Sequence, residues 1–234
     1  MEEKFKIALL IDGENASPKI LEAIIEEISK HGIITIRRIY GDWTSQQMNG
    51  WKESLNANAI QAIQQFTYTT GKNSSDSALI IDAMDILNDE LVNGFCIVSS
   101  DSDYTRLATR IREDGLLVIG VGEMKTPKSF VKSCDLFVNV ENLVNAKTTE
   151  SAKKEVKKVD KETMNSLMKA FEMTTQGNES AFVGQLVPNL RKMEPDFDPR
   201  TYGFKTFPKF FASLPEFVVT QEGLQHKVLL KKPE

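Results

Sequence analysis

The chain has 234 residues, of which 41% are hydrophobic and 26% charged, and its formal net charge is −4. This size suits one large domain or two modest ones, and the composition is that of an ordinary globular protein. No apolar run approaches the roughly 20 residues of a membrane helix, and the start MEEKFKIALLID lacks the basic segment and cleavage site of a signal peptide, so we expect no membrane association and a cytoplasmic location.

Apolar runs alternate with helical patterns through the first part of the chain. Continuous hydrophobic runs predict buried strands at 5–11, 33–40, 60–66, 94–98, 116–121 and 135–140. Helical spacing predicts helices at 18–29, 45–56, 77–87, 104–113 and 127–132, with Ser17 as a cap and Pro18 in the first turn of the first helix. This alternation predicts an α/β domain over residues 1–146, with a parallel sheet flanked by helices on both faces.

A different pattern follows this first domain. Residues 147–160 contain KKEVKK and almost no large apolar side chain, which is typical of a linker. Helices are predicted at 161–174, 180–193 and 207–212, and two short strands at 216–220 and 227–230 flank Gly223. Three helices and a β-hairpin indicate a small winged-helix (α+β) domain over residues 161–234.

Aspartates stand where predicted strands end. Asp12 follows the first strand, Asp101 and Asp103 follow the FCIVSS strand, and Asp76 lies at the start of the helix before that strand. In parallel α/β sheets, ligands bind beyond the carboxyl ends of the strands. A cluster of carboxylates there repels itself unless a cation neutralises it, and hard ions such as Mg²⁺ or Mn²⁺ take oxygen ligands. The pattern therefore predicts a site for metal-assisted hydrolysis of phosphate esters.

Simpler roles remain open for the same residues. Asp is a common N-cap, so Asp101, Asp103 and Asp76 are also suited to capping the helices they precede. Asn15, three residues after Asp12, either orients a ligand or makes a turn. Lys72 stands in a turn-rich loop and is a weak candidate for a phosphate contact. Asp82 is about 240° round the helix from Asp76, which favours a supporting or structural role.

Several other kinds of site are excluded by missing patterns. No GxGxxG follows the first strand and no GxxxxGK[ST] is present, which argues against a dinucleotide site and a P-loop. Cys96 and Cys134 lie in apolar strand-like runs and are expected to be reduced core thiols. The two histidines and two cysteines have no ligand spacing, which argues against structural zinc.

Three segments carry a recognisable pattern: IDGEN at 11–15, GKNSSDSALIIDAMD, and SSDSDYTRLATRIREDG at 99–115. Together they resemble the NYN family of the PIN-like nuclease group, over about residues 4–143. It implies a PIN-like, Rossmann-like fold and a ribonuclease activity with Mg²⁺ or Mn²⁺. The family's acidic residues map onto Asp12, Asp76, Asp101 and Asp103, with Asn15 as a polar partner and Asp82 as an extra carboxylate. Tyr104 stands where the family often has phenylalanine.

The C-terminal segment resembles a LOTUS domain, also called OST-HTH, mainly through YGFKTFPKFFASLPEFVVT at 202–220. Such domains are small winged helices associated with RNA or with protein partners; a generic winged helix or a dimerisation module is the alternative. Residues 1–146 hold 14 Lys+Arg and 21 Asp+Glu, a net of −7, whereas residues 147–234 hold 15 and 12, a net of +3. Candidate RNA contacts near the second and third predicted helices are Arg191, Lys192, Arg200, Lys205 and Lys209.

These observations predict a metal-dependent ribonuclease whose C-terminal domain selects the RNA. The main alternative is a non-catalytic RNA or protein adaptor built from the same folds. A phosphatase of small nucleotides fits the carboxylates but leaves the second domain unexplained. A protein partner for the C-terminal domain and a homodimer stay open.

Overall fold

The computed structural model describes residues 4–66, 74–147 and 158–231. The chain separates into two compact units, Met1–Thr149 and Glu150–Glu234. Each unit has an apolar core of its own and is described by itself. Within the described residues, no helix has both the length and the apolar character needed to cross a bilayer.

The first unit is built on a six-stranded sheet with the strand order β3-β2-β1-β4-β5-β6. All five strand pairs are parallel. The central strands are buried because both of their faces are covered, as their continuous apolar runs predict. The strands are β1 (Lys6–Asp12), β2 (Ile33–Gly41), β3 (Gln61–Gln64), β4 (Gly94–Val98), β5 (Leu117–Gly122) and β6 (Leu136–Asn139).

Helices cover both faces of this sheet, which confirms the predicted α/β architecture. One apolar cluster contains Leu21, Leu55 and Leu143, and a separate cluster contains Leu79, Leu107 and Phe130. The helices are α1 (Leu21–Ile28), α2 (Lys52–Asn58), α3 (Ser74–Asn88), α4 (Thr105–Glu113), α5 (Lys128–Ser133) and α6 (Val140–Lys147). The first cluster packs under α1, α2 and α6, and the second under α3, α4 and α5.

The strand order reverses direction between β1 and β4. From β1 the chain builds outward to β2 and β3, and from β4 it builds the other way to β5 and β6. Such a switch point opens a crevice at the carboxyl ends of the two central strands. Asp12 is the last residue of β1, and Asp101 stands three residues after the end of β4.

The second unit packs three helices against a three-stranded antiparallel sheet with the order β7-β9-β8. Its core is aromatic and includes Phe171, Phe197, Phe210 and Phe211. Gly223 has φ +60 at the turn between the last two strands, a conformation suited to glycine. The elements are α7 (Lys161–Thr175), β7 (Ser180–Phe182), α8 (Val183–Met193), α9 (Phe207–Ala212), β8 (Phe217–Glu222) and β9 (Gln225–Leu230).

Three of the local differences from the sequence-based expectations have a clear structural description. The predicted strand at 135–140 ends at Asn139, and the unpredicted helix α6 follows it. Residues Ser180–Phe182 form a strand rather than the start of a helix, because they pair with β9 nearly 50 residues later. Ser17 makes no side-chain capping bond, and Pro18 opens a short 3-10 helix before α1.

Candidate functional site

Asp12 is buried and tightly held at the end of β1. Its side chain accepts hydrogen bonds from the backbone N–H groups of Glu14 and Asn15, both at 3.3 Å, from Asn15 Nδ2 at 2.7 Å and from Ser99 Oγ at 2.9 Å. Only 1% of the residue is exposed. A buried carboxylate is tolerated when donors of this kind replace its water. Asn15 therefore fixes the Asp12 carboxylate, in addition to shaping the turn.

Three further aspartates come together beside the switch point. Asp76, Asp101 and Asp103 each present a carboxylate oxygen, and these oxygens all lie within 4.8 Å of one another. Asp76 stands in the first turn of α3, and Asp101 and Asp103 stand in the loop between β4 and α4. The fold thus gathers carboxylates from two segments that are about 25 residues apart in the sequence.

Capping and clustering prove compatible at Asp101. Its side chain accepts the backbone N–H of Asp103 at 3.0 Å and caps the 3-10 helix Ser102–Tyr104. The same carboxylate also belongs to the cluster with Asp76 and Asp103. The N-cap alternative is therefore correct for Asp101 but does not replace the cluster.

Burial and the neighbouring carboxylates together raise the pKa of Asp76. Partial burial is the largest cause, the hydrogen bond from Tyr104 opposes it, and the charges of Asp12, Asp101 and Asp103 raise the pKa further. Asp12 lies outside the group of three oxygens, but its charge acts on Asp76. A divalent cation with a preference for oxygen ligands would relieve this repulsion.

Two further residues contact the aspartates but were not predicted to belong to the site. Tyr104 is buried, and its hydroxyl donates to Asp76 Oδ1 at 2.6 Å, so its difference from phenylalanine adds a contact. Burial, followed by the charge of Asp12, raises the pKa of Tyr104. Ser99 donates to Asp12 and accepts the backbone N–H of Asp101 at 3.1 Å, which links the ends of β1 and β4. Both residues belong to the polar SSDSDY segment at the end of β4, and this polarity was the only feature of the sequence that could have pointed to them.

Asp82 takes no part in the carboxylate cluster. Its two oxygens receive hydrogen bonds from Arg38 and from the hydroxyl of Tyr40, both on β2. This pairing raises the pKa of Arg38, although burial opposes it. Asp82 therefore ties α3 to the sheet, in agreement with the predicted angular offset from Asp76. Lys72 lies outside the described residues.

The basic candidates of the second unit differ in their surroundings. The Arg191 guanidinium lies over the Phe207 ring at 5.6 Å, and Arg200 makes hydrogen bonds of 2.6 to 3.0 Å to Asp198. Lys192, Lys205 and Lys209 are exposed. Residues 161–234 hold ten Lys+Arg and nine Asp+Glu, whereas residues 147–160 hold five lysines and three acidic residues. Of the net charge of +3 beyond residue 146, +2 thus belongs to residues 147–160 and +1 to residues 161–234.

The buried thiols carry no sign of a second site. Cys96 and Cys134 are both buried and form no disulfide, as predicted. Burial raises the pKa of both thiols. A buried neutral thiol is a poor nucleophile and a poor metal ligand.

Comparisons with known proteins identify both parts of the chain. The family model of the NYN domain matches residues 6–141, and that of the OST-HTH/LOTUS domain matches residues 154–229. A crystal structure of a protein of unknown function from Vibrio parahaemolyticus is similar to 59% of this chain over 94% of its own, with a TM-score of 0.50 and 19% identity. That likeness concerns the fold. No curated protein matches the chain.

The NYN domain is a PIN-like nuclease type and the LOTUS domain an RNA-binding type, so the pair supports a nuclease and RNA-binding role. The acidic cluster lies inside the matched NYN region. More than half of the chain follows the NYN model, and the sequence-based resemblance is thereby confirmed. The chain belongs to the NYN family of PIN-like nucleases and carries an OST-HTH/LOTUS domain after its NYN domain.

Proposed function

We propose that this protein is a metal-dependent ribonuclease that hydrolyses RNA phosphodiesters at Asp12, Asp76, Asp101 and Asp103. The observation that supports this most directly is the convergence of three carboxylate oxygens within 4.8 Å at the switch point of the sheet. Phosphoryl chemistry needs positioned charge more than it needs a covalent group from the protein. An all-oxygen donor set at this place suits Mg²⁺ or Mn²⁺.

Asp76, Asp101 and Asp103 would hold the cation, with the charge of Asp12 beside them. A bound divalent cation supplies an activated water and stabilises the charge that develops on the phosphate. The protein's own contribution is to hold the carboxylates in place before the substrate arrives. Tyr104 orients Asp76, and Ser99 couples Asp12 to the Asp101 loop.

Supporting roles follow for the remaining candidates of the first unit. Asn15 fixes the orientation of Asp12. Asp82 anchors α3, the helix that carries Asp76, to β2. Lys72, outside the described residues, is proposed as a phosphate contact.

The LOTUS domain is proposed to hold the RNA from a separate surface. Its exposed candidates for phosphate contacts are Lys192, Lys205 and Lys209, whereas Arg200 already pairs with Asp198. An acidic nuclease domain repels a polyanion away from its cations, so a second site would help to retain the substrate. A protein partner or self-association of this domain is the alternative, and a cytoplasmic location remains part of the proposal.

The test is to incubate the full chain with a mixture of labelled single-stranded and duplex RNAs in Mn²⁺, Mg²⁺ or EDTA. We expect cleavage with either ion and none in EDTA. RNA binding without cleavage in any ion would overturn the ribonuclease and leave the adaptor. Cleavage that persists in EDTA would overturn the metal dependence.

A further inference from the structure

A cavity lies between α2 and the edge strand β3, and none of the clustered aspartates lines it. It has a volume of about 360 Å³ and is called the Trp43 cleft below. Its floor consists of the buried side chains Met48, Leu55 and Ile60, and its wall is the half-buried Trp43. An apolar cavity of this size suits a small planar group rather than a protein segment.

Polar residues line the rim of the Trp43 cleft. Asn49, Lys52 and Asn56 are all exposed, and their spacings of three and four residues place them along one side of the helical segment. Within the residues that the structure describes, none of the three makes a side-chain hydrogen bond or an ion pair. Two amides can donate to and accept from the edge of a ligand, and the lysine adds a positive charge.

Trp43 is held in place by two hydrogen bonds, one from its indole ring and one from its backbone. Its Nε1 donates to the carbonyl of Ile63 at 2.9 Å, and its backbone N–H donates to Gln64 Oε1 at 2.9 Å. Both partners belong to β3. A ring held in this way needs no reordering when a second aromatic group stacks on it, which lowers the entropic cost of binding.

The floor of the Trp43 cleft packs against the loop that follows Asp12. A Cβ atom on Gly13 would lie 2.6 Å from Met48 Cε, so the floor of the cleft packs directly on that loop. Trp51 Nε1 donates to the carbonyl of Gly13 at 3.1 Å, and Gln47 Nε2 donates to that of Glu14 at 2.8 Å. The segment that forms the floor of the cleft is therefore fixed to the loop that directly follows Asp12.

The two apolar clusters show on which face of the sheet each site lies. Met48 and Leu55 belong to the cluster on one face of the sheet, whereas Tyr104 belongs to the cluster on the other face. The acidic centre and the cleft therefore lie on different sides of the β1 and β2 ends. A base in the cleft would belong to a nucleotide that flanks the cleaved bond.

We propose that the Trp43 cleft binds one unpaired base of an RNA strand, flanking the bond that is cleaved at the acidic cluster; this rests on the proposed ribonuclease function. The base stacks on Trp43, Asn49 and Asn56 contact its edge, and Lys52 contacts the adjoining phosphate. Single strands expose the face and edge of each base, whereas a duplex hides both. Binding in the cleft therefore requires an unpaired base.

The experiment measures binding rather than cleavage. The full-length Asp101→Asn variant is titrated with single-stranded octaribonucleotides, with the same strands carrying abasic positions, and with an RNA duplex, while tryptophan emission is recorded. Trp51 is 2% exposed, so a change in emission reports mainly on Trp43. We expect saturable quenching by the intact single strands and little by the abasic strands or the duplex.

Further substitutions in the Asp101→Asn chain distinguish a loss of base stacking from a change in the structure of the cleft. Trp43→Ala should weaken single-strand affinity on the order of tenfold, whereas Trp43→Phe keeps an aromatic face and should retain most of it. Lys52→Gln should lower the slope of log affinity against log salt by about 0.7. Lys6→Gln, at an exposed lysine at the amino end of the central strand β1, is the matched control and should change neither.

The possible outcomes distinguish the two proposals. RNA binding with no quenching and with unchanged affinity in Trp43→Ala would overturn the cleft and leave the ribonuclease intact. Equal losses in Trp43→Ala and Trp43→Phe, with unchanged thermal melts, would also overturn stacking. No RNA binding at low salt would overturn both.

Discussion

The two units of the chain place their candidate functional residues in different ways. In the NYN domain, Asp12, Asp76 and Asp101 come from three separate segments and are oriented by buried partners such as Ser99 and Tyr104. In the LOTUS domain, the exposed candidates all lie between residues 192 and 209, on the surface. A preorganised site depends on each member, whereas a set of surface charges loses function gradually. Substitutions should therefore act steeply in the first unit and mildly in the second.

The largest expected effect is the loss of cleavage in Asp101→Asn. Asn caps a helix about as well as Asp, so the loop should keep its structure while the charge disappears. We expect cleavage to fall roughly a hundredfold or more. The control is Asp85→Asn, an exposed aspartate of α3 outside the cluster. RNase assays and thermal melts on both variants test this, and normal cleavage by Asp101→Asn would refute the site.

Divalent ions should stabilise the NYN domain, because they bind the folded cluster and not the unfolded chain. At a concentration about 100 times the Kd, the gain is about 2.7 kcal/mol, which corresponds to several degrees in Tm. Asp103→Asn, at an exposed member of the cluster, should reduce the shift. Thermal melts in a Mn²⁺ series measure it, and a melt that is indifferent to millimolar Mn²⁺ would favour the adaptor.

Asp12→Asn should destabilise the fold, unlike Asp101→Asn. Asp12 Oδ2 accepts from both Asn15 Nδ2 and Ser99 Oγ, and Oδ1 accepts from two backbone N–H groups. An asparagine has only one oxygen, so its NH₂ group would face N–H or O–H donors at one of these two positions and lose those hydrogen bonds. We expect a loss of about 1–3 kcal/mol in the free energy of unfolding. Denaturant unfolding of both variants in EDTA measures the difference, and equal stabilities would show that the hydrogen bonds to Asp12 matter little.

In the LOTUS domain, replacing Lys205 and Lys209 together with glutamine should weaken RNA binding only moderately. If both lysines contact phosphates, the slope of log affinity against log salt should fall by about 1.4, at roughly 0.7 for each contact with a single strand. Lys161 and Lys169, exposed on α7, form the matched double control. Salt titrations of the full chain measure both pairs. An equal loss in the two pairs would indicate a diffuse charge effect and no defined surface.

The smallest expected effect is a pH-dependent stabilisation by Asp76→Asn. The pKa of Asp76 is raised in the folded protein, so folding favours its protonated form. That contribution to stability is complete below the unfolded pKa of about 3.9 and is lost as the pH rises through the folded pKa. Without divalent ions, Asp76→Asn should therefore melt a degree or two higher at pH 7 and close to the parent at pH 3. A lower Tm at pH 7 would mean that the Tyr104 hydrogen bond outweighs the repulsion.

The sequence by itself determined the architecture and the placement of most site residues. Continuous apolar runs fix the strands of a parallel sheet, because such strands are buried on both faces. Aspartates that directly follow two of those runs must then lie at the carboxyl edge, and Asp12 and Asp101 do. The α6 helix escaped prediction because no turn residue separates it from β6.

Only the tertiary structure decided which side chains contact one another. Tyr104 reaches Asp76 across 28 residues, Asp82 pairs with Arg38 and Tyr40 across more than 40, and β7 forms because β9 offers it a partner. Hydrophobic periodicity predicts whether a segment is a helix or a strand and which of its faces is buried, whereas these contacts depend on how separate elements pack. The Trp43 cleft has the same origin, because it forms only where α2 packs beside the edge strand β3 of the folded sheet.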